Sequence, residues 1–245
     1  MKHILYCTVL GFLTFAASLS NAGPLDDLLQ GVQQLPRSAT SAAPKGLDQK
    51  TTISGLKEAL SIGTENAVRS ISKTDGYFGN ELIKILLPEK VQQVAAFAGR
   101  MGYQQQVDNL ILSMNRAAEG AASKAAPLFS QAIREMSFED ARKILQGGNS
   151  AATDYFREKT SQKLYDQFKP AVQSSMSKVG VAKAYKEMTG PYRSMPFAPK
   201  DMDLDHYVTN KALDGLFTMV AEEEKKIRTD PAARVTDLLK KVFTK

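Results

Sequence analysis

Residues 104–121, with the sequence QQQVDNLILSMNRAAEGA, decide the fold class of this chain. Apolar side chains recur there at intervals of three and four, which is the spacing that places them on one face of an α-helix. The face consists of Val107, Leu110, Ile111, Met114, Ala118 and Ala121. The alanines at its end would allow a neighbouring helix to approach closely. This stretch therefore predicts a core helix that packs against other helices.

The same periodicity recurs on both sides of this helix. It runs through residues 53–71, 151–168 and 204–227, and Asp230-Pro231 has the order of residues typical of the start of a last helix. Neither a fixed-period repeat nor an alternation of strands with helices is present in the sequence. We therefore predict an all-α fold: a single compact, non-repeat helical domain of about eight to ten helices.

One short stretch departs from the helical pattern. Ile83, Ile85 and Leu87 alternate with other residues up to Pro88. A period of two is typical of extended backbone, because successive side chains of a strand point to opposite faces. We therefore predict a short extended segment near residues 82–87.

The N-terminus has the pattern of a secretory signal. Lys2 supplies a positive start, residues 4–17 form an uncharged apolar run, and residues 20–22 place small side chains where signal peptidase reads them. The run is short for a membrane span, which takes about 20 apolar residues. We therefore expect residues 1–22 to be a signal peptide cleaved after Ala22. The mature protein would be periplasmic or secreted, and not transmembrane.

Two regions follow this predicted signal. Residues 23–50 combine a short amphipathic piece, residues 25–35, with a linker rich in Ser, Ala, Thr, Pro and Gly. Residues 51–245 are predicted to form the helical domain. The amphipathic piece could dock on that domain, on a membrane or on a partner.

Cleavage would also remove residue types that catalysis uses. Cys7 and His3 leave with the signal, so the mature chain would have no cysteine and His206 as its one histidine. The sequence contains no Gly-x-Ser-x-Gly turn for a serine nucleophile. It also lacks a Walker loop, a dinucleotide fingerprint and a basic–aromatic platform for nucleic acid. We therefore expect no cofactor and no nucleic-acid partner.

The formal net charge of +6 has two interpretations. Acidic and basic residues are interspersed along the chain, which favours an ordinary solvated surface of mixed charge. The alternative is attraction to anionic surroundings such as lipid headgroups or lipopolysaccharide.

The helix predicted at residues 104–121 contains a polar cluster, which consists of Asn115, Arg116 and Glu119. Asn115 and Glu119 are four residues apart and so share one helical face, with Arg116 beside them. The favoured interpretation is an anchor between helices that combines hydrogen bonds with a salt bridge. In the alternative, Glu119 is the catalytic acid of a hydrolase, which would need a second acid about 5–9 Å away.

The acidic run at residues 201–206, DMDLDH, suggests a metal loop. An EF-hand that began at Asp201 would need glycine at its sixth position and glutamate at its twelfth, and the chain has His206 and Ala212 there. We therefore predict that Asp203 caps a helix and that Asp205 lies in its first turn, where negative charge is favourable. A loose metal site of Asp203, Asp205 and His206 is the alternative.

A loop at residues 190–203 contains three prolines and the stretch PYRSMPF at residues 191–197. Long loops often form lids or binding sites. Proline-stiffened packing over the core is the favoured interpretation of this one. In the alternative, Tyr192 and Phe197 join Leu216 and Phe217 of the next helix to form the wall of an apolar ligand pocket.

Seven motifs, in order along the chain, resemble those of a known bacterial family. They are GLKEAL at 55–60, DGYF at 75–78, LP at 87–88, MNRAAE at 114–119, AATDYF at 151–156, YVTNKALDGLF at 207–217 and IRTDP at 227–231. From about Ser54 to its C-terminus, the chain resembles the exported family known as domain of unknown function 4197. The resemblance implies an exported bacterial helical domain and supplies no activity, cofactor or catalytic residue.

The sequence supports three hypotheses for the function. The leading one is a non-catalytic periplasmic protein that binds an apolar or amphiphilic ligand such as a lipid, or a protein of the cell envelope. The second is a cell-envelope hydrolase that uses paired carboxylates, with Glu119 as one of them. The third is a structural or assembly protein of the envelope, recognised through residues 25–35.

Overall fold

Helix follows helix through the computed structural model of the chain, which describes residues 49–190 and 203–230. The α-helices are α1 (Gln49–Ile71), α2 (Glu89–Ala98), α3 (Gln104–Ala122), α4 (Ala125–Glu135), α5 (Phe138–Gln146), α6 (Ala151–Val179), α7 (Val181–Thr189) and α8 (Leu204–Thr229). A π-helical turn, Gly99–Tyr103, joins α2 to α3. If α2, the π-helical turn and α3 are counted as one continuous helix, residues 49–190 and 203–230 contain seven helices and no strand. The all-α prediction is confirmed, with slightly fewer helices than expected.

The described helices belong to one compact unit, Gly46–Lys245. The predicted signal at residues 1–22 and almost all of the region at residues 23–50 lie outside the described residues, as does the predicted last helix after Asp230. These assignments remain predictions. No described helix has the length and apolarity that a membrane crossing requires.

Helices α3, α6 and α8 form the centre of the fold. Helix α3 packs along α6, α6 packs along α8, and α8 also contacts α1. The predicted face of α3 is buried except for the half-buried Ile111, and its alanines from Ala117 to Ala122 are fully covered. These short side chains let α3 approach its neighbours closely, so that one continuous core joins the three helices.

The connection between α1 and α2 contains the predicted extended segment. Residues 81–83 form a turn and residues 84–88 lack regular secondary structure. The side chains of Ile83, Ile85 and Leu87 are buried, whereas Leu82 and Leu86 are 72% and 54% exposed. This alternation of burial is what extended backbone on a core produces. The expected segment is therefore present, and its extended part, residues 84–88, begins slightly later than predicted.

Candidate functional site

Asn115 binds the extended segment to the buried side of α3. Its Oδ1 accepts a hydrogen bond from the backbone N–H of Ile85 at 2.8 Å, and its Nδ2 donates to the carbonyl of Ile85 at 2.8 Å. Nδ2 also donates to the carbonyl of Ile111 at 2.8 Å. A side-chain amide carries both a donor and an acceptor, so Asn115 takes the place that a neighbouring strand would occupy.

Glu119 binds the turn that precedes this segment. Its Oε1 accepts from the backbone N–H groups of Tyr77 and Phe78, each at 3.1 Å. Its Oε2 accepts from Nη1 of Arg116 at 2.7 Å, and Arg116 also donates to Asp75 at 2.8 Å. Because Glu119 is only 5% exposed, these partners take the place of water around its carboxylate. The geometry supports the anchor interpretation of the cluster, since both carboxylate oxygens are occupied.

Tyr77 ties the same turn to α8. Its ring is fully buried and its hydroxyl donates to the carbonyl of Ala212 at 2.7 Å. Burial, and to a lesser extent the charge of Glu119, raises the pKa of Tyr77 well above its ordinary value, so the phenol stays a donor. Gly215 lies against the ring, where a Cβ atom would come within 2.6 Å of Cε1. Glycine is therefore needed at position 215 for this close approach.

The outer side of the extended segment lines a groove of about 600 Å³. Its far wall is the start of α8, where Tyr207 donates from its hydroxyl to the carbonyl of Leu86 at 2.9 Å. Gln92, on α2, donates to the carbonyl of Leu87 at 3.0 Å. Side chains from α2, α3 and α8 thus hold residues 85–87, and the groove wall is fixed before any ligand arrives.

The motifs that build this anchor and this groove also carry a family match. A family model described as protein of unknown function (DUF4197) matches residues 46–244. The chain belongs to this family. The match spans the connection, α3 and α8 together, which confirms the resemblance seen in the sequence. No curated protein and no solved structure was found to match the chain.

In this DUF4197 domain, Asp203 acts as the N-cap of α8. Oδ1 of Asp203 accepts from the backbone N–H of His206 at 2.9 Å, and Asp205 lies in the first turn, where it accepts from Gln173 at 3.1 Å. The predicted cap is confirmed.

Both ring nitrogens of His206 have partners: Nδ1 contacts the hydroxyl of Tyr165 at 2.7 Å and Nε2 contacts Asn210 at 3.0 Å. Within the described residues, no cluster of three or more His, Cys, Asp or Glu side chains could hold a metal ion.

Two of the four predicted pocket residues, Leu216 and Phe217, lie in the core of the DUF4197 domain rather than at a surface groove. Leu216 and Phe217 are 0% and 2% exposed, and their side chains belong to the apolar core. The ring of Phe217 packs edge-on against Phe129 at 6.3 Å between centroids. A ligand could reach these two side chains only by opening the core. Tyr192 and Phe197 lie outside the described residues.

Glu224 is a buried carboxylate that the periodicity alone did not single out. It lies on α8 and accepts from the backbone N–H groups of Ala152 at 3.0 Å and Thr153 at 2.8 Å, which caps the start of α6. Arg228 pairs with it at 2.8 Å and also donates to the carbonyl of Ile144. The sequence did contain a signal for Glu224. It lies four residues after Val220 and three before Ile227, which places it on the apolar face of the helix.

Replacing Asn115 with leucine is expected to lower the free energy of unfolding by about 2–6 kcal/mol. The change leaves the buried N–H and carbonyl of Ile85 without their partner, at about 1–3 kcal/mol each. Urea denaturation of the two proteins measures the difference. Asn109→Leu is the matched control, because Asn109 is exposed on the same helix. Equal effects of the two substitutions would contradict the anchoring role.

Proposed function

We propose that this protein is exported and binds an amphiphilic ligand, without chemical turnover, in the groove beside residues 84–88. The groove is the observation that carries the proposal. Its volume of about 600 Å³ falls within the range of about 300–1,000 Å³ found for small-molecule sites. The export part of the proposal rests on the signal pattern of residues 1–22.

The lining of the groove suits a ligand with both apolar and polar parts. Leu86 is half-exposed and lies beside Leu87 and Pro88 on the segment wall, while polar side chains come from α2 and α8. Tyr207 has its hydroxyl tied to Leu86, so its ring holds a fixed orientation. A wall that is already ordered lowers the entropic cost of binding.

The carboxylates of the domain favour binding over hydrolysis. Glu119 is locked in the anchor, with Arg116 and two backbone amides as its partners. Glu89 is the one carboxylate among the described residues that line the groove. Hydrolysis by paired carboxylates needs two acids that face one cleft, and the described part of this groove offers a single one.

Native mass spectrometry of protein recovered from the periplasm tests the proposal. We expect a chain that begins at Gly23 and carries an adduct with the mass of an amphiphile. Leu86→Asn should reduce the occupancy of that adduct about tenfold, because it removes roughly one side chain of apolar contact. Leu82→Asn is the control: Leu82 is 72% exposed and is not among the groove-lining residues.

Each part of the proposal has its own contradicting outcome. A protein absent from the periplasm, or one that keeps residues 1–22, contradicts export. A ligand-free mass, or an adduct that Leu86→Asn leaves unchanged, contradicts binding in the groove.

A further inference from the structure

We infer that the groove recognises the anionic phosphate headgroup of a lipid, an inference that rests on the proposed function. Among the described residues that line the groove, three are lysines, Lys84 on the extended segment, Lys90 on α2 and Lys211 on α8, and one is a carboxylate, Glu89. Lysines from three separate elements thus line one concave surface. Such an arrangement attracts an anion and raises its local concentration.

Within the described ranges, acidic side chains do little to neutralise these lysines. Lys84 and Lys90 take part in no salt bridge within the part of the chain that the structure describes. Lys211 lies 3.9 Å from Asp214, and both side chains are at least half exposed, so that pair is weak. The ammonium of Lys84 sits 4.1 Å from the centre of the Phe78 ring, which holds it in place and leaves its charge available.

The size and the apolar lining of the groove point to a lipid rather than to free phosphate. A single phosphate ion would fill a small part of about 600 Å³ and would leave the surface of Leu86, Leu87 and Pro88 in contact with water. A lipid satisfies both halves of the site, since its phosphate would face the lysines and its acyl chain would cover the apolar wall. The charge complementarity selects lipids with a net negative headgroup over zwitterionic ones.

Cosedimentation with vesicles tests this inference. The protein should bind vesicles that contain phosphatidylglycerol more tightly than vesicles of phosphatidylcholine alone. The triple variant Lys84→Gln, Lys90→Gln, Lys211→Gln should bind the anionic vesicles about 100-fold more weakly, at about 1 kcal/mol for each lysine near the surface. The matched control is Lys73→Gln, Lys178→Gln, Lys225→Gln, which removes the same charge from exposed positions outside the groove. Inorganic phosphate is added as a competitor.

The arms of the experiment separate the sources of failure. Equal losses for the two triple variants would overturn the inference, since attraction would then follow net charge alone. Complete displacement by millimolar phosphate would also overturn it and would make free phosphate the ligand. Binding that ignores headgroup charge but still falls with Leu86→Asn would overturn the anionic preference and leave the proposed function standing. Binding to neither vesicle, together with a ligand-free native mass, would overturn both.

Discussion

Replacing Glu119 with leucine is expected to lower the free energy of unfolding by about 3–5 kcal/mol, the typical cost of removing one partner from a buried ion pair. The substitution strips the N–H groups of Tyr77 and Phe78 of their acceptor and leaves Arg116 without its shorter contact. The hydrogen bond that Arg116 donates to Glu119 is the main cause of the raised pKa of Arg116. Urea denaturation followed by circular dichroism measures the loss.

Two further variants show which contact of Glu119 matters most. Glu119→Gln keeps an oxygen for the two backbone amides and loses the ion pair, so it should cost less than Glu119→Leu. Asp75→Asn removes the charge of the exposed partner of Arg116 and keeps a residue that tolerates the positive φ of 63° at this position, so it should cost no more than about 1 kcal/mol. If Glu119→Leu were as mild as Asp75→Asn, the anchoring of the turn by Glu119 would be contradicted.

Replacing Glu224 with leucine is expected to cost about 3 kcal/mol and to fray the start of α6. The N–H groups of Ala152 and Thr153 lose their acceptor, and Arg228, which is largely buried, loses its ion pair with Glu224. Hydrogen exchange measured by mass spectrometry should therefore accelerate in a peptide that covers residues 151–156. Urea denaturation supplies the change in stability.

The neighbouring Glu222 provides the comparison for this second substitution. It lies on the same helix and is half-exposed, so Glu222→Leu should change stability by no more than about 0.5 kcal/mol. Exchange in residues 151–156 should stay as in the unmodified protein. Faster exchange there in the Glu222 variant would argue against a specific cap by Glu224.

The features that the sequence predicted correctly are local ones. The face of α3 was predictable because its members repeat within one helix, and Asn115, Arg116 and Glu119 lie within five consecutive residues. The cap by Asp203 was predictable for the same reason, since donor and acceptor are three residues apart. In each case the geometry of a single helix fixes which side chains meet.

The features that the sequence did not predict depend on how distant segments meet. The groove joins residues 84–92 to Tyr207 and Lys211, and the hydrogen bond across it spans 121 positions. Glu224 meets its partners on α6 across 71 and 72 positions. The sequence also could not decide between core and pocket for Leu216 and Phe217, because an adjacent apolar pair has the same pattern whether it faces a core or a ligand, and the structure places both in the core.

The way residues 84–88 are held has a consequence for the order of folding. A strand in a sheet takes its shape from the strand beside it, but this segment takes its shape from Asn115 on α3 and Tyr207 on α8. Its full set of native hydrogen bonds therefore forms only when both helices are in place. We expect the segment to be a late element to form, and the groove to be complete only once α8 lies beside α3. Ligand binding would thus report on completed folding as well as on affinity.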